Sequence, residues 1–295
     1  MSSINLKGVG VALVTPFNED GTINFNQYEK LCNYVIENKV DYVVVLGTTG
    51  EVATMNDKER QDLISATVSV VSKRVPVIAG FGGNYTQKIA EELKSFDLTG
   101  VDAILSVSPY YNKPTQDGLY EHYKAIALST ELPLILYNVP GRTSSNIKAS
   151  TTLKLAENFS NIIAIKEATS DWSQIIELAH NKPDNFYLLS GNDDLIVPQI
   201  ALGYDGIISV MANATPKLFT EMVHQALNND FASARKTVFL LDDLINMMFE
   251  QGNPAGVKCA LHHVDICSEN IRLPLMPVSE DLSERIKIKL NSLGL

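Results

Sequence analysis

Eight short runs rich in β-branched residues recur along the chain at a near-constant interval, and this repeat limits the fold more than any other feature. They occupy residues 9–15, 42–47, 75–80, 103–108, 132–138, 162–167, 187–191 and 206–211, with helical patterns between them at, for example, 26–38, 57–72, 86–96, 116–129 and 150–158. The step from one run to the next averages about 28 residues, the length of a strand, a helix and two short loops. Val43-Val44-Val45, Leu134-Ile135-Leu136 and Ile162-Ile163 are apolar at consecutive positions. Such strands meet water on neither face, as in a parallel sheet covered by helices. Eight units of this kind predict an α/β fold, a closed (β/α)8 TIM barrel, rather than an open sheet. An open dinucleotide-binding sheet wants Gly-x-Gly-x-x-Gly after its first strand. This chain has Thr15-Pro16-Phe17 there, and Gly80-Phe81-Gly82-Gly83 lacks the third glycine. Beyond about Asn229 the strand pattern stops, and 231–250, 255–264 and 281–293 look helical, with breaks at Gly252-Asn253-Pro254 and Leu273-Pro274. The expected organisation is therefore a barrel at 1–228 and a C-terminal helical extension at 229–295.

Charge and cysteine content narrow the function classes. The formal net charge of −10 makes the long-range Coulomb field repulsive toward nucleic acid and anionic membranes, so neither is an expected partner. Cys32, Cys259 and Cys267 are odd in number and lack metal-type spacing, which predicts reduced thiols and a cytoplasmic location. No apolar run approaches the ~20 residues a membrane helix needs. The N-terminus lacks the basic and apolar regions of a signal peptide. With no His-Glu-x-x-His or Cys-x-x-Cys, and with His262-His263 adjacent in a predicted helix, no metal is expected. Gly-x-Ser-x-Gly is absent too, against a serine hydrolase.

In a (β/α)8 barrel the reactive groups sit at the C-terminal ends of the strands. Lys166 follows Ile162-Ile163-Ala164-Ile165 in a strand that reads as fully buried. Burial favours a neutral amine, the form that attacks a carbonyl to make a Schiff base. The other reading is a strand-end lysine reaching solvent or pairing with Glu167. Gly47-Thr48-Thr49-Gly50 can form a turn whose N–H groups and hydroxyls bind a carboxylate, or be a plain glycine-rich turn. Tyr110, Tyr111 and Tyr137 can relay protons through Thr48 or Thr49, or be packing residues. Arg142 offers a bidentate fork for a carboxylate, or is a surface arginine. Asp193-Asp194 reads as acid at a helix N-terminus rather than a cation site.

These residues also resemble a known family. Gly-Val-Ala-Leu-Val-Thr-Pro-Phe near the start, Gly-Thr-Thr-Gly-Glu, Pro-Tyr-Tyr-Asn-Lys-Pro, Tyr-Asn-Val-Pro-Gly-Arg-Thr, Ile-Lys-Glu-Ala, Ser-Gly-Asn-Asp and Asn-Pro-Ala-Gly-Val-Lys run in order nearly end to end. The set resembles the dihydrodipicolinate synthases of the pyruvate-dependent aldolase superfamily, which includes N-acetylneuraminate lyase. The resemblance implies condensation of pyruvate with L-aspartate-4-semialdehyde on the path to diaminopimelate and lysine. It implies Lys166 as the Schiff-base lysine and Tyr137 as the proton-transfer phenol, linked through Thr48 to Tyr111 of a neighbouring subunit. Thr49 is implied to hold the pyruvate carboxylate and Arg142 that of the second substrate, with the backbones of Gly191 and Ile208 lining the site. No cofactor is implied, because the protonated imine is itself the electron sink, and a homotetramer is. Thr48-Thr49 and Arg142 fit the synthases better than a sugar-acid lyase, the runner-up; a non-catalytic barrel would show degraded strand ends. Two departures stand out: Phe81 where the family usually has threonine, and Asn192 where aspartate is commoner. Asn84, Lys88, Tyr110, Asp57 and Arg60 fall at the family's lysine-binding allosteric pocket. Asn84 and Tyr110 match, but Lys88 replaces a carboxylate that would hold the ligand's amine, so weak or absent inhibition by L-lysine is expected.

Overall fold

The structure is a computed structural model that describes residues 4–295; the first three residues of the segment read for a signal peptide lie outside the described residues. The strands are β1 (Gly8–Ala12), β2 (Tyr42–Val45), β3 (Val77–Gly80), β4 (Ala103–Val107), β5 (Leu134–Asn138), β6 (Ile162–Glu167), β7 (Tyr187–Ser190) and β8 (Gly206–Ser209). All pair in parallel with their sequence neighbours, and β8 pairs with β1, so the barrel closes. The helices are α1 (Phe25–Glu37), α2 (Asp57–Val71), α3 (Thr86–Ser95), α4 (Gln116–Ala127), a short α5 (Pro140–Thr143), α6 (Ala149–Asn158), α7 (Trp172–Asn181), α8 (Ile196–Ala201) and α9 (Pro216–Leu227). Three more close the chain: α10 (Phe231–Glu250), α11 (Ala255–His263) and α12 (Glu280–Ser292). No helix among the described residues is long and apolar enough to cross a membrane.

Every strand but β6 is one or two residues shorter than its sequence run. β1 ends at Ala12 instead of 15, and β8 at Ser209, after which Met211–Asn213 tightens into a 3-10 turn. Asn213 explains both ends: its side chain donates to the Ala12 carbonyl and accepts from the Val14 amide, replacing the ladder there. Local signals set the helix starts. Asn56 and Glu59 form a reciprocal capping box at α2, and Ser279 caps α12, interactions worth about 1 kcal/mol each.

Period-two alternation divides the core in two. Tyr42, Val44, Ile78, Ile135, Ala164, Leu189 and Ile208 fill the barrel interior. Val43, Val45, Leu134, Leu136 and Ile165 face the surrounding helices. Gly10 leaves room for Tyr42: a Cβ there would meet the Tyr42 ring at 1.9 Å. The Tyr42 hydroxyl donates to the Ile207 carbonyl at 3.1 Å, so the interior carries no loose phenol at that level.

Candidate active site

Alternation along β6 decides where Lys166 points. Ala164 faces the interior and Ile165 the helices, so Lys166 points inward. It is 5% exposed. On β5 the same argument turns Tyr137 inward, and the register pairs Tyr137 with Lys166. The Lys166 Nζ lies 4.5 Å from the centre of the Tyr137 ring. The next pair, Asn138 and Glu167, faces outward, where Asn138 Nδ2 donates to both Glu167 oxygens at 2.9 and 3.1 Å. The reading of Lys166 as the ion-pair partner of Glu167 is therefore ruled out: adjacent strand residues lie on opposite faces.

Lys166 opens into a cavity of about 150 Å³ lined also by Thr48, Thr49, Tyr137, Arg142, Gly191 and Asn253. Gly191 is needed for space: a Cβ would stand 2.5 Å from the Ala168 Cβ and 3.2 Å from the Lys166 Cε. A second cavity of about 520 Å³ adjoins it, sharing Gly47, Thr48, Leu105, Tyr137, Val139 and Arg142 as common wall. Asp57, Arg60, Asn84, Lys88 and Tyr110 all line this larger space. The residues expected at an effector pocket thus border a cavity that shares a wall with the pocket of the lysine. Within that cavity Arg60 is nearly filled with partners. It forks onto Glu92 at 2.9 and 2.8 Å, meets Asp57 at 3.1 Å, and lies over the rings of Phe81 and Phe96. Lys88 also reaches Glu92, at 3.5 Å.

Two expected site residues lie elsewhere. Ile208 is buried in the interior cluster and lines neither cavity. Tyr111 lies on the loop after β4, 90% exposed and outside both cavities, with a left-handed φ of 62°. Thr48 and Tyr137 share the cavity wall, but no hydrogen bond joins their side chains among the described residues. The Thr49 hydroxyl instead accepts from Asn253 Nδ2 at 3.0 Å, leaving its own proton to donate into the cavity.

The reading of Asp193 as acid at a helix N-terminus is corrected. α8 begins at Ile196, and the buried Asp193 carboxylate accepts from the amides of Val210 and Met211 at 3.2 and 3.0 Å. It anchors the end of β8 to the end of β7. Burial pushes its carboxyl up to about 6, against its hydrogen bonds and the positive charge of Lys166, which pull the other way.

Sequence reasoning assigned no role to the partners that the C-terminal helices supply. Lys258 on α11 is fully buried and ion-paired with Glu51, the residue that ends the Thr48–Gly50 turn in a left-handed conformation, φ 58°. Glu51 also accepts from the Arg272 amide at 3.0 Å, and Lys258 donates to the Asn270 carbonyl at 2.7 Å. The signal was present, because Asn253 and Lys258 both stand in Asn-Pro-Ala-Gly-Val-Lys. Which barrel loop that segment meets is decided by tertiary packing alone.

The model of the dihydrodipicolinate synthetase family matches residues 5–293. The chain belongs to that family. A 4-hydroxy-tetrahydrodipicolinate synthase of Parabacteroides distasonis is 46% identical over 295 residues, covering 100% of this chain and 99% of the relative. The dihydrodipicolinate synthase of Thermotoga maritima superposes with a TM-score of 0.95 at 39% identity, covering 98% of each chain. The enzyme of Acinetobacter baumannii, a chloride-inhibited dihydrodipicolinate synthase solved with pyruvate, gives 0.95 at 41% identity, covering 98% of this chain and 99% of the other. For a dihydrodipicolinate synthetase family member, the closed barrel is the shared frame.

Proposed function

We propose that this chain is a 4-hydroxy-tetrahydrodipicolinate synthase, a lyase condensing pyruvate with L-aspartate-4-semialdehyde through a Schiff base on Lys166. The observation that carries the reading is the inward-facing Lys166 beside Tyr137, in a pocket whose wall also carries Thr48, Thr49 and Arg142. The Lys166 amine attacks the pyruvate carbonyl, and loss of water leaves an imine. Loss of a methyl proton gives the enamine, whose carbon attacks the aldehyde while the aldehyde oxygen takes up a proton. The substrate amine then adds to the imine carbon, closing the ring and releasing Lys166. Tyr137, over whose ring the lysine sits, is the phenol placed to move these protons. Thr49, oriented by Asn253, donates to the pyruvate carboxylate. Arg142, on the wall shared by both cavities, takes the second carboxylate. Gly191 keeps space beside the lysine.

Thr48 relays between Tyr137 and a tyrosine that one chain does not itself supply. The exposed Tyr111 fits that role when carried by a neighbouring subunit, in a homotetramer. The relatives reported above bear the synthase name, which favours this reaction over sugar-acid cleavage.

Borohydride reduction in the presence of pyruvate tests the reading. A reduced adduct is expected on the peptide containing Lys166 and absent from Lys166→Ala. A folded protein that yields no adduct overturns the proposal.

A further inference from the structure

Behind the wall that carries Tyr137 and Lys166 lies a buried polar cluster that the reaction scheme does not use. Glu167 is fully buried, and its partners are amides rather than cations. Asn138 Nδ2 bonds both oxygens, and Gln174 Nε2 and the Thr169 amide add bonds of 2.9 and 2.8 Å. Asn138 in turn accepts from the Ile147 amide at 2.9 Å and donates to Asn146 Oδ1 at 2.7 Å. Burying a carboxylate without a cation is costly, and burial pushes Glu167 up to about 7 despite these donors. Packing does not require it: two residues earlier on the same outer face, the pair Leu136–Ile165 is purely apolar.

The polar pair adds direction, which an apolar pair lacks. Its bonds cross from β5 to β6 and fix how far one strand slides along the other. Ladder register alone is a weak guarantee here, because it shifts at Leu134/Ile135, shortly before the catalytic pair. The Glu167 carbonyl also accepts from the Gly191 amide at 2.7 Å, tying the β7 turn to the same residue. We propose that Asn138 and Glu167 are positioning residues for the imine chemistry, their cross-strand pair on the outer face setting the spacing of Tyr137 and Lys166 on the inner face. This rests on the reading of Lys166 as the imine-forming lysine. A misplacement of about 1 Å in such a pair costs on the order of a hundredfold in rate.

The test is a swap of donor and acceptor. Asn138→Asp sets two carboxyl groups against each other, Glu167→Gln turns one of the two acceptor oxygens into a donor facing donors, and the double variant restores a donor opposite an acceptor. Each single change is expected to lower kcat about tenfold or more, while the KM for pyruvate stays within about threefold. Adduct formation under borohydride should slow in step, and the double variant should recover part of kcat. Singles with near-wild-type kcat well below their melting temperatures, or a double variant no faster than the slower single, overturn the proposal. If a single variant does not fold, Gln174→Leu removes one donor from α7; a severalfold loss of kcat is then expected, and an unchanged kcat overturns the idea. Wild-type protein lacking the Lys166 adduct strikes the imine reading instead, so the two failures are distinguishable.

Discussion

Single residues in this protein are placed by period-two geometry combined with what each buried group must satisfy. Alternation predicts that Lys166 and Glu167 part company, and the register makes Tyr137 the neighbour of the lysine. Asp193 shows where residue-level reading stops. Its sequence suggests acid at a helix N-terminus, yet it accepts backbone amides just past the end of β8, a partner no local pattern reveals. Its raised carboxyl has a consequence for stability. The folded state holds this proton up to about pH 6, whereas the unfolded chain releases it near pH 4. Between those values the folded state binds more protons, so this group's contribution falls as pH rises. Relative to Asp193→Asn, the wild type should lose on the order of 2–3 kcal/mol between about pH 4 and pH 6.5. Urea denaturation of both proteins across that range measures it; parallel pH profiles would contradict it.

At the scale of elements, the three C-terminal helices are more than a cover. We propose a division in which residues 1–228 carry the chemistry and 229–295 brace its loops. Lys258 and Asn253 reach from the α10–α11 region to Glu51 and Thr49 on the turn after β2. Removing one member of a buried ion pair strands the other, at a cost of roughly 3–5 kcal/mol. Lys258→Met should therefore lower stability by that amount and raise the KM for pyruvate, because the turn proposed to hold its carboxylate loosens. Replacing both charges, with Glu51→Leu added, should recover much of the stability and little of the KM. Chemical denaturation and steady-state kinetics separate the two effects. If KM is unchanged in a folded Lys258→Met protein, the brace is structural alone.

At the scale of the whole molecule, the proposed proton relay is incomplete in one chain. Tyr111 stands 90% exposed outside both cavities, so full activity should require assembly. Diluting the enzyme until sedimentation shows free chains should lower kcat, and Tyr111→Phe in the assembled enzyme should lower it about tenfold or more. Full specific activity in a monomer would end the shared-tyrosine idea. The larger cavity bears on regulation. Its Glu92 is already committed to Arg60 and Lys88, and Asp57 also meets Arg60, so a ligand's ammonium has to compete with cations already in place. L-lysine should thus inhibit weakly or not at all. Sub-millimolar inhibition in a steady-state titration would show that Arg60 yields its place.

The sequence by itself determined the barrel, since eight apolar runs at a regular spacing admit few other ways to bury both strand faces. It also determined which strand ends carry chemistry, because lysine, threonine, tyrosine and arginine stand out against apolar strands. Only the tertiary structure decided which groups meet. The contacts Asn253–Thr49 and Lys258–Glu51 join residues some two hundred positions apart, and Asp193 bonds a strand end across a whole β/α unit. No local periodicity encodes such contacts: they follow from barrel closure and from helix packing on the finished barrel. The same closure set the space beside Arg60 and the pocket of Lys166 against a common wall.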